Sequence, residues 1–386
     1  MHSYLSPAEL TAALSITDLS ADDSGHALSQ LPSAVSGALA ASWGVPVKEH
    51  RASPLVSTRD NYDRLGFSPD DITRDSRYSR HVSPTVMLRS HTSAGMPAVL
   101  DALRGEMGRY DTLHVLPGLV YRRDAVDRTH VGTPHQLDAW RLRSRGLLGV
   151  PDLTGMLGAV VDAVLPGTRW RAVPSAHPYT TAGVQLDVQV RGEWLELAEA
   201  GLVAASVLRS TSLDPRRWCG LALGMGLDRA VMLRKGIDDI RLLRSTDPRV
   251  AVQMTDLSPY RPVSAMPPVR RDLSLVCADD VDAEVLGDAA RSALGADADV
   301  LAGLEVLDVT PVSELPAGAC ARLGLIPDRA PLGRGLPVRG SGQANVLVRL
   351  TLQSLERTLT SEEANRLRNR VYLALHDGPQ LELIAV

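Results

Sequence analysis

The stretch GLALGMGLDRAVMLRKGIDDIRLL, residues 220–243, changes character halfway along. Gly220 to Met225 is apolar and broken by glycines, which predicts a strand that something approaches closely. Leu227 to Lys235 then predicts a helix, with Arg229 in its first turn able to aim its charge at an anion. The glycines do not follow GxGxxG spacing, and no βαβ unit with an acidic residue follows, so a dinucleotide fold is excluded.

Outward from this segment, strand patterns fall at Thr85 to Arg89, Leu113 to Arg122, Gln136 to Leu142, Gly183 to Val190 and Glu193 to Leu197. Helical spacing marks Leu28 to Trp43, Ala94 to Gly105 and Asp152 to Val164, and Ser53 to Arg80 reads as turn-rich. The strands look antiparallel and do not alternate regularly with helices, which predicts an α+β domain over 25–257. Residues 1–24 read as a flexible arm with one helix at Pro7 to Leu14 capped by Ser6. Clustered prolines from Ser258 to Met266 predict a linker. Beyond it, strands at Arg271 to Val276, Leu304 to Val309 and Ala344 to Leu352 and helices at Ala283 to Ala293 and Thr360 to Leu375 suggest a second domain over 267–386. With a last strand they would follow the ferredoxin-like order. Arg322 to Gly342, rich in Arg, Gly and Pro, reads as a long loop, either a solvated insertion or a contact for RNA phosphates.

At 386 residues the chain is long enough for two cores. A formal net charge of -4 gives no overall pull toward nucleic acid, so any RNA contact must be local. Cys219, Cys277 and Cys320 are odd in number and widely spaced, which suggests neither a disulfide framework nor a zinc site. No apolar run is long enough to span a bilayer, and the N-terminus lacks a leader pattern, so a cytoplasmic location is expected.

A second chemical segment is Val120-Tyr-Arg-Arg-Asp124, followed by Asp127-Arg-Thr-His130 and His135-Gln-Leu-Asp138. Arginines on a strand, a polar loop and a second strand make a hairpin able to hold a polyphosphate, since guanidinium is a planar bidentate donor. Any one of these arginines alone would more often be a surface ion pair. Together the two segments resemble motifs 2 and 3 of the phenylalanyl-tRNA synthetase family, GIDDIR at 236–241 included. LRSHTS at 88–93, RGEWLELAEAG at 191–201 and Asn61-Tyr-Asp63 are similar to further family segments. MPPVRRDLSL at 266–275 and LERTLTSEEANRLR at 355–368 resemble the ferredoxin-like anticodon-binding domain of its single-chain members.

The resemblance implies a class II antiparallel sheet with flanking helices, followed by a ferredoxin-like α+β sandwich domain. It implies ATP and Mg²⁺ as cofactors, an amino acid as substrate and tRNA as partner, without a membrane; monomer and homodimer both stay open. Arg122 and Arg229 would be catalytic and bind phosphates, with Asp124, His130 and Pro134 also at ATP. His91, Ser93, Gln136 and Asp138 would grip the amino acid's carboxylate and amino group, and Glu196, with Asp187 second, would help hold Mg²⁺.

The departures from the family fall at the adenine and in the amino-acid pocket. Pro134 stands where an adenine-stacking aromatic is expected. The Phe-Pro-Phe wall of the phenylalanine pocket becomes His177-Pro-Tyr179, Glu199 replaces a glycine, and Leu221 and Leu223 flank Ala222 in place of aromatics. Burying a carboxylate beside a histidine costs roughly 2 to 7 kcal/mol unless it is paired. Either His177 and Glu199 satisfy each other, or Glu199 turns away to solvent, or the activated amino acid differs from phenylalanine. Two functions remain: a tRNA ligase of altered specificity, served by Arg270, Arg271, Arg357, Arg366, Arg368 and Arg370, or a paralogue activating an amino acid for amide or ester formation without charging tRNA. A fold-only regulator is disfavoured by the retention of Arg122 and Arg229.

Overall fold

The computed structural model describes residues 4–75, 78–123, 127–263, 266–323, 342–378 and 382–385, so Asp124 and nearly all of the expected loop at 322–342 lie outside the described residues. Among the described residues twelve strands follow in chain order: β1 (Val47–Glu49), β2 (Leu55–Ser57), β3 (Val86–Leu88), β4 (Asp111–Leu119), β5 (His135–Ser144), β6 (Trp170–Pro174), β7 (Thr180–Val190), β8 (Glu193–Val203), β9 (Trp218–Gly226), β10 (Val269–Ala278), β11 (Leu301–Pro311) and β12 (Gln343–Leu352). Seven of them form one sheet in the order β1-β4-β5-β9-β8-β7-β6, antiparallel except for the β1–β4 pair.

Burial on one face of this sheet follows from helical periodicity. Val150–Val164 buries Leu153, Met156, Leu157, Val160, Val161 and Val164, spaced by three and four residues, so one stripe faces the strands. Ala27–Trp43 buries Leu28, Leu31, Val35 and Leu39 in the same way, starts at His26, whose Nδ1 accepts from Leu28 N, and stops at Gly44 with φ +63°. Both helices share one apolar core with β4, β5, β8 and β9. Each fully buried Leu or Val there contributes about 1.5–3 kcal/mol.

In the second sheet β12 lies between β10 and β11 and is antiparallel to both, so β10 and β11 run parallel, as in a split βαβ unit. The helices Ala283–Leu294 and Ser361–Leu375 pack on it. The ferredoxin-like order calls for a fourth strand at the C-terminus, and residues 382–385 do not form one. They run along the last helix, where Arg368 Nη1 donates to Glu382 O at 2.6 Å and Asn369 Nδ2 to Ile384 O at 2.8 Å.

Residues 4–24, expected as a flexible arm, are seated on the first sheet. The Pro7–Leu14 helix has a reciprocal Ser6–Glu9 capping box. Leu5, Leu10 and Ala13 cover Leu88, Leu119 and Tyr121, and Leu19 N donates to His135 Nε2 at 3.0 Å. Apolar contacts at irregular spacing carry this docking, which is why the polar composition of the segment hid it. The short β1, β2 and β6 were also absent from the sequence reading, since three to five residues give too little alternation.

The two sheets meet through charged groups. Arg123 Nε lies 3.2 Å from Asp288 Oδ2, Arg80 pairs with the same carboxylate, and Tyr78 donates to Asp282. The tail Gly236 to Arg241 serves this junction. Asp239 fixes Arg241 through Nε and Nη2, and Arg241 Nη1 donates at 2.8 Å to Asp299 O and Gln353 O.

Candidate active site

A cavity of about 670 Å³ opens over β5, β9 and β8. Its floor follows from sheet register. Gln136 pairs with Gly226, and Asp138 and Glu199 both pair with Gly224 from opposite sides, so their side chains rise on one face. Period-2 alternation would put Glu196 and Glu199 on opposite faces. The register shift between Leu186 and Asp187 inserts one extra β8 residue and brings both carboxylates to the cavity. A Cβ on Gly226 would meet no atom within 4 Å, so its lack of a side chain leaves open space above the floor.

The cationic end is built from the β4–β5 loop and the helix Leu227–Lys235. Arg122 Nε donates to Ser90 O at 2.6 Å, which steers the rest of its guanidinium. Arg229 Nη2 lies 3.3 Å from His130 Nε2, and His130 Nδ1 lies 2.7 Å from Asp127 Oδ2. Burial pushes the Asp127 carboxyl up, but hydrogen bonds from His130 and Thr129 outweigh it and hold it well below the usual carboxylate range. Among the described residues neither Arg122 nor Arg229 forms an ion pair, so two guanidinium groups face the cavity without carboxylate partners. Pro134 lines the same end, while its O accepts from Val120 N.

The other end holds the residues expected around the amino acid. His91 is 9% exposed, stacks on Phe67 at 5.4 Å and 15°, and has no hydrogen-bond partner on either ring nitrogen. Burial, aided by the charge of Arg122, pushes its pKa down to about 3, so it is neutral at pH 7. His177 packs on Tyr179 with ring centroids 4.0 Å apart; its Nε2 lies 3.7 Å from Glu199 Oε2, and its Nδ1 is unpartnered. Glu199 Oε1 accepts from Ser175 Oγ at 3.0 Å. Burial raises the pKa of His177's neighbour Tyr179 and lowers that of His177 itself.

Three residues expected to touch the ligand do not line the cavity. Asp138 accepts from Ser93 Oγ at 2.7 Å, Thr92 Oγ1 at 2.6 Å and Trp140 Nε1 at 3.1 Å, and is fully buried. Ser93 is occupied in holding it. Ala222 lies on the Gly224 face but in the apolar cluster of Trp140 and Tyr179, away from the cavity lining. Gln136 does line it: Oε1 accepts from Thr92 N at 3.2 Å, and Nε2 would stand 3.8 Å from a Cβ on Gly224.

For a divalent cation, Glu196 is on the cavity face, and burial together with the charge of Glu199 raises its pKa. Asp187, its cross-strand neighbour, is taken by Arg171 at 2.9 Å and Gln185 at 2.7 Å. No group of three acidic, His or Cys side chains suited to a metal occurs among the described residues. The fit is to Mg²⁺ held by one protein carboxylate and by phosphate oxygens, not to a protein cage. Sequence reasoning missed Phe67 and Glu284, which reach the site from a turn and from the second domain, and it quoted Ser90 and Asp127 within motif segments without giving either a role. Phe67 carried a signal as the chain's one phenylalanine.

The chain belongs to the class II aminoacyl-tRNA synthetase core family: the family profile for the tRNA synthetases class II core domain (F) matches residues 38–254. It is similar to the phenylalanine--tRNA ligase alpha subunit of Prochlorococcus marinus strain MIT 9313, 37% identical over 193 residues, covering 50% of this chain and 56% of that subunit. The alpha subunit from Nostoc punctiforme is 33% identical over 193 residues with the same coverage, so this chain spans about half the length of such relatives. The chloroplastic/mitochondrial phenylalanine--tRNA ligase of Arabidopsis thaliana is 25% identical over 333 residues, 83% of this chain and 68% of that enzyme. The match therefore continues past the core into the second sheet. No helix among the described residues is long and apolar enough to cross a membrane.

Proposed function

We propose that this protein joins an amino acid to AMP at the expense of ATP and passes the acyl group to a tRNA 3′-end, with an amino acid other than phenylalanine as its preferred substrate. The observation that carries the first part is the pair of guanidinium groups, Arg122 and Arg229, which form no ion pair among the described residues and face the cavity over a glycine floor. The substrate carboxylate attacks the α-phosphorus, the bond to the bridging oxygen breaks, and pyrophosphate leaves. Arg122 neutralises the α-phosphate and Arg229 the leaving phosphates, in a displacement that needs orientation and charge stabilisation rather than a protein nucleophile. Gln136 Nε2 is placed to donate to the amino acid. Mg²⁺, when bound, supplies further charge neutralisation at the phosphates, with Glu196 as its protein ligand. Pyrophosphate–ATP exchange across an amino-acid panel tests this reading. Exchange that depends on an amino acid supports it, and none in folded, ATP-binding protein opposes it.

A specific observation favours the second reading, activation for a small-molecule acceptor. Several arginines expected to meet RNA are engaged inside their own domain: Arg357 with Glu363 at 2.7 Å, Arg370 with Asp297 at 2.5 Å and Arg271 with Asn365 at 2.8 Å. Glu284, from the second domain, also lines the cavity. Amino-acid-dependent exchange without charging of bulk tRNA selects this reading, and charging selects the first.

A further inference from the structure

The two ends of the substrate-side pocket differ in what they leave unsatisfied. An activated amino acid presents a carboxylate, an ammonium and a side chain, and each needs a partner. Asp138, the one carboxyl among the four residues that the family resemblance assigns to gripping the amino acid's carboxylate and amino group, has its oxygens occupied by three protein donors and is sealed beneath Tyr179 and Gly224. Glu199 lies on the same sheet row, across Gly224, two strand spacings away, or about 10 Å. It faces the cavity with Ser175 Oγ and a distant imidazole as its partners, and among the described residues no Lys or Arg pairs with it. Between the two stand His91, nine-tenths buried, with both nitrogens unpartnered, and His177 with one. The carboxylate, whose side chain is 37% exposed, and the flat walls of Phe67 and Tyr179 form a surface on which a hydrocarbon ring would displace water from Glu199 without replacing its hydrogen bonds. Glu199 and Glu196 also face each other's negative charge across the β8 bulge, so a donor carrying positive charge is electrostatically complementary there.

We infer that Glu199, with His177 beside it, binds a nitrogen N–H donor at the end of the substrate's side chain, so that the amino acid activated has a basic or amino-bearing side chain. This rests on the reading of the protein as an amino-acid-activating enzyme. A side chain of this kind reaches along the Gly224 row from the carboxylate at Gln136 and Arg122 and places its nitrogen at Glu199 Oε2, beside His177.

The test has two arms that fail independently. Pyrophosphate–ATP exchange is measured with phenylalanine, tyrosine, 4-aminophenylalanine, histidine, lysine, ornithine and arginine. Binding of the same compounds is followed by calorimetry, which needs no turnover. The expected result is a nitrogen-bearing member favoured over phenylalanine by at least about 100-fold in kcat/KM, as for a site built to hydrogen-bond its substrate. Glu199→Gln should shrink that ratio by at least about tenfold, and a shift of thermal unfolding confirms that the variant is folded. Phenylalanine or tyrosine as the best substrate, or a ratio unchanged by Glu199→Gln, overturns the inference. Calorimetric binding of a nitrogen-bearing amino acid that Glu199→Gln abolishes, without exchange, upholds the pocket and sinks the activating reading. Binding stimulated by Mg²⁺ alone and lost in Glu199→Gln would make Glu199 a metal ligand and overturn the inference.

Discussion

The two ends of one cavity are built to different standards of completeness. At the phosphate end each group has a support: Ser90 O steers Arg122, and the Asp127–His130 pair backs Arg229. At the side-chain end, His91 and His177 keep three buried ring nitrogens unpartnered, and among the described residues no Lys or Arg pairs with Glu199. A preorganised site spends its hydrogen bonds before the ligand arrives, whereas a specificity pocket must keep some for the ligand. On the proposed function, the contrast separates the chemistry of activation from the choice of amino acid.

Breaking the phosphate end should have the largest effect. Arg229→Ala or Arg122→Ala is expected to lower kcat for pyrophosphate exchange about 100- to 1,000-fold with the fold retained, which circular dichroism and steady-state kinetics check together. At the other end, the double substitution His177→Phe and Glu199→Gly removes the polar wall. Phenylalanine-dependent kcat/KM should rise about 10- to 100-fold, since a matched apolar pocket discriminates on that scale. Loosening the support without removing the charge is milder: Asp127→Asn frees His130, and KM for ATP should rise about tenfold, with kcat nearly unchanged. The smallest effect concerns stability. The pKa of buried His91 lies at about 3 in the folded state, below the ordinary histidine value of about 6.5. The unfolded chain therefore binds the extra proton between those values, and stability falls as pH drops from about 6.5 toward 3. His114, also pushed down to about 3 by burial, and His26, at about 4, act in the same direction. Urea midpoints at pH 7 and pH 5 should show the loss, and His91→Asn should reduce it.

The elements legible in the sequence were those with long periodic runs. Val150–Val164 and Leu227–Lys235 came within a turn of their sequence-derived bounds, because three or four apolar turns settle a helix. The β4–β5 hairpin and the glycine strand β9 were legible from the charge and glycine patterns that their chemistry demands. Contacts between distant segments were hidden. No local pattern tells that Asp138 is saturated by Thr92, Ser93 and Trp140, or that a β-bulge brings Glu196 onto the face of Glu199. The docking of residues 4–24 depended on Leu5 and Leu10 meeting Leu119 and Tyr121, a tertiary fact. Likewise Arg241, at the end of a recognisable motif, owes its place to backbone carbonyls more than fifty residues further on.

The most direct measurement is pyrophosphate–ATP exchange on the purified full chain, with and without the amino-acid panel, beside Arg229→Ala. Exchange that appears only with an amino acid and collapses in Arg229→Ala is the expected result. A folded, ATP-binding protein that gives no amino-acid-dependent exchange, or whose exchange survives the loss of Arg229, would contradict the assignment of this cavity to amino-acid activation.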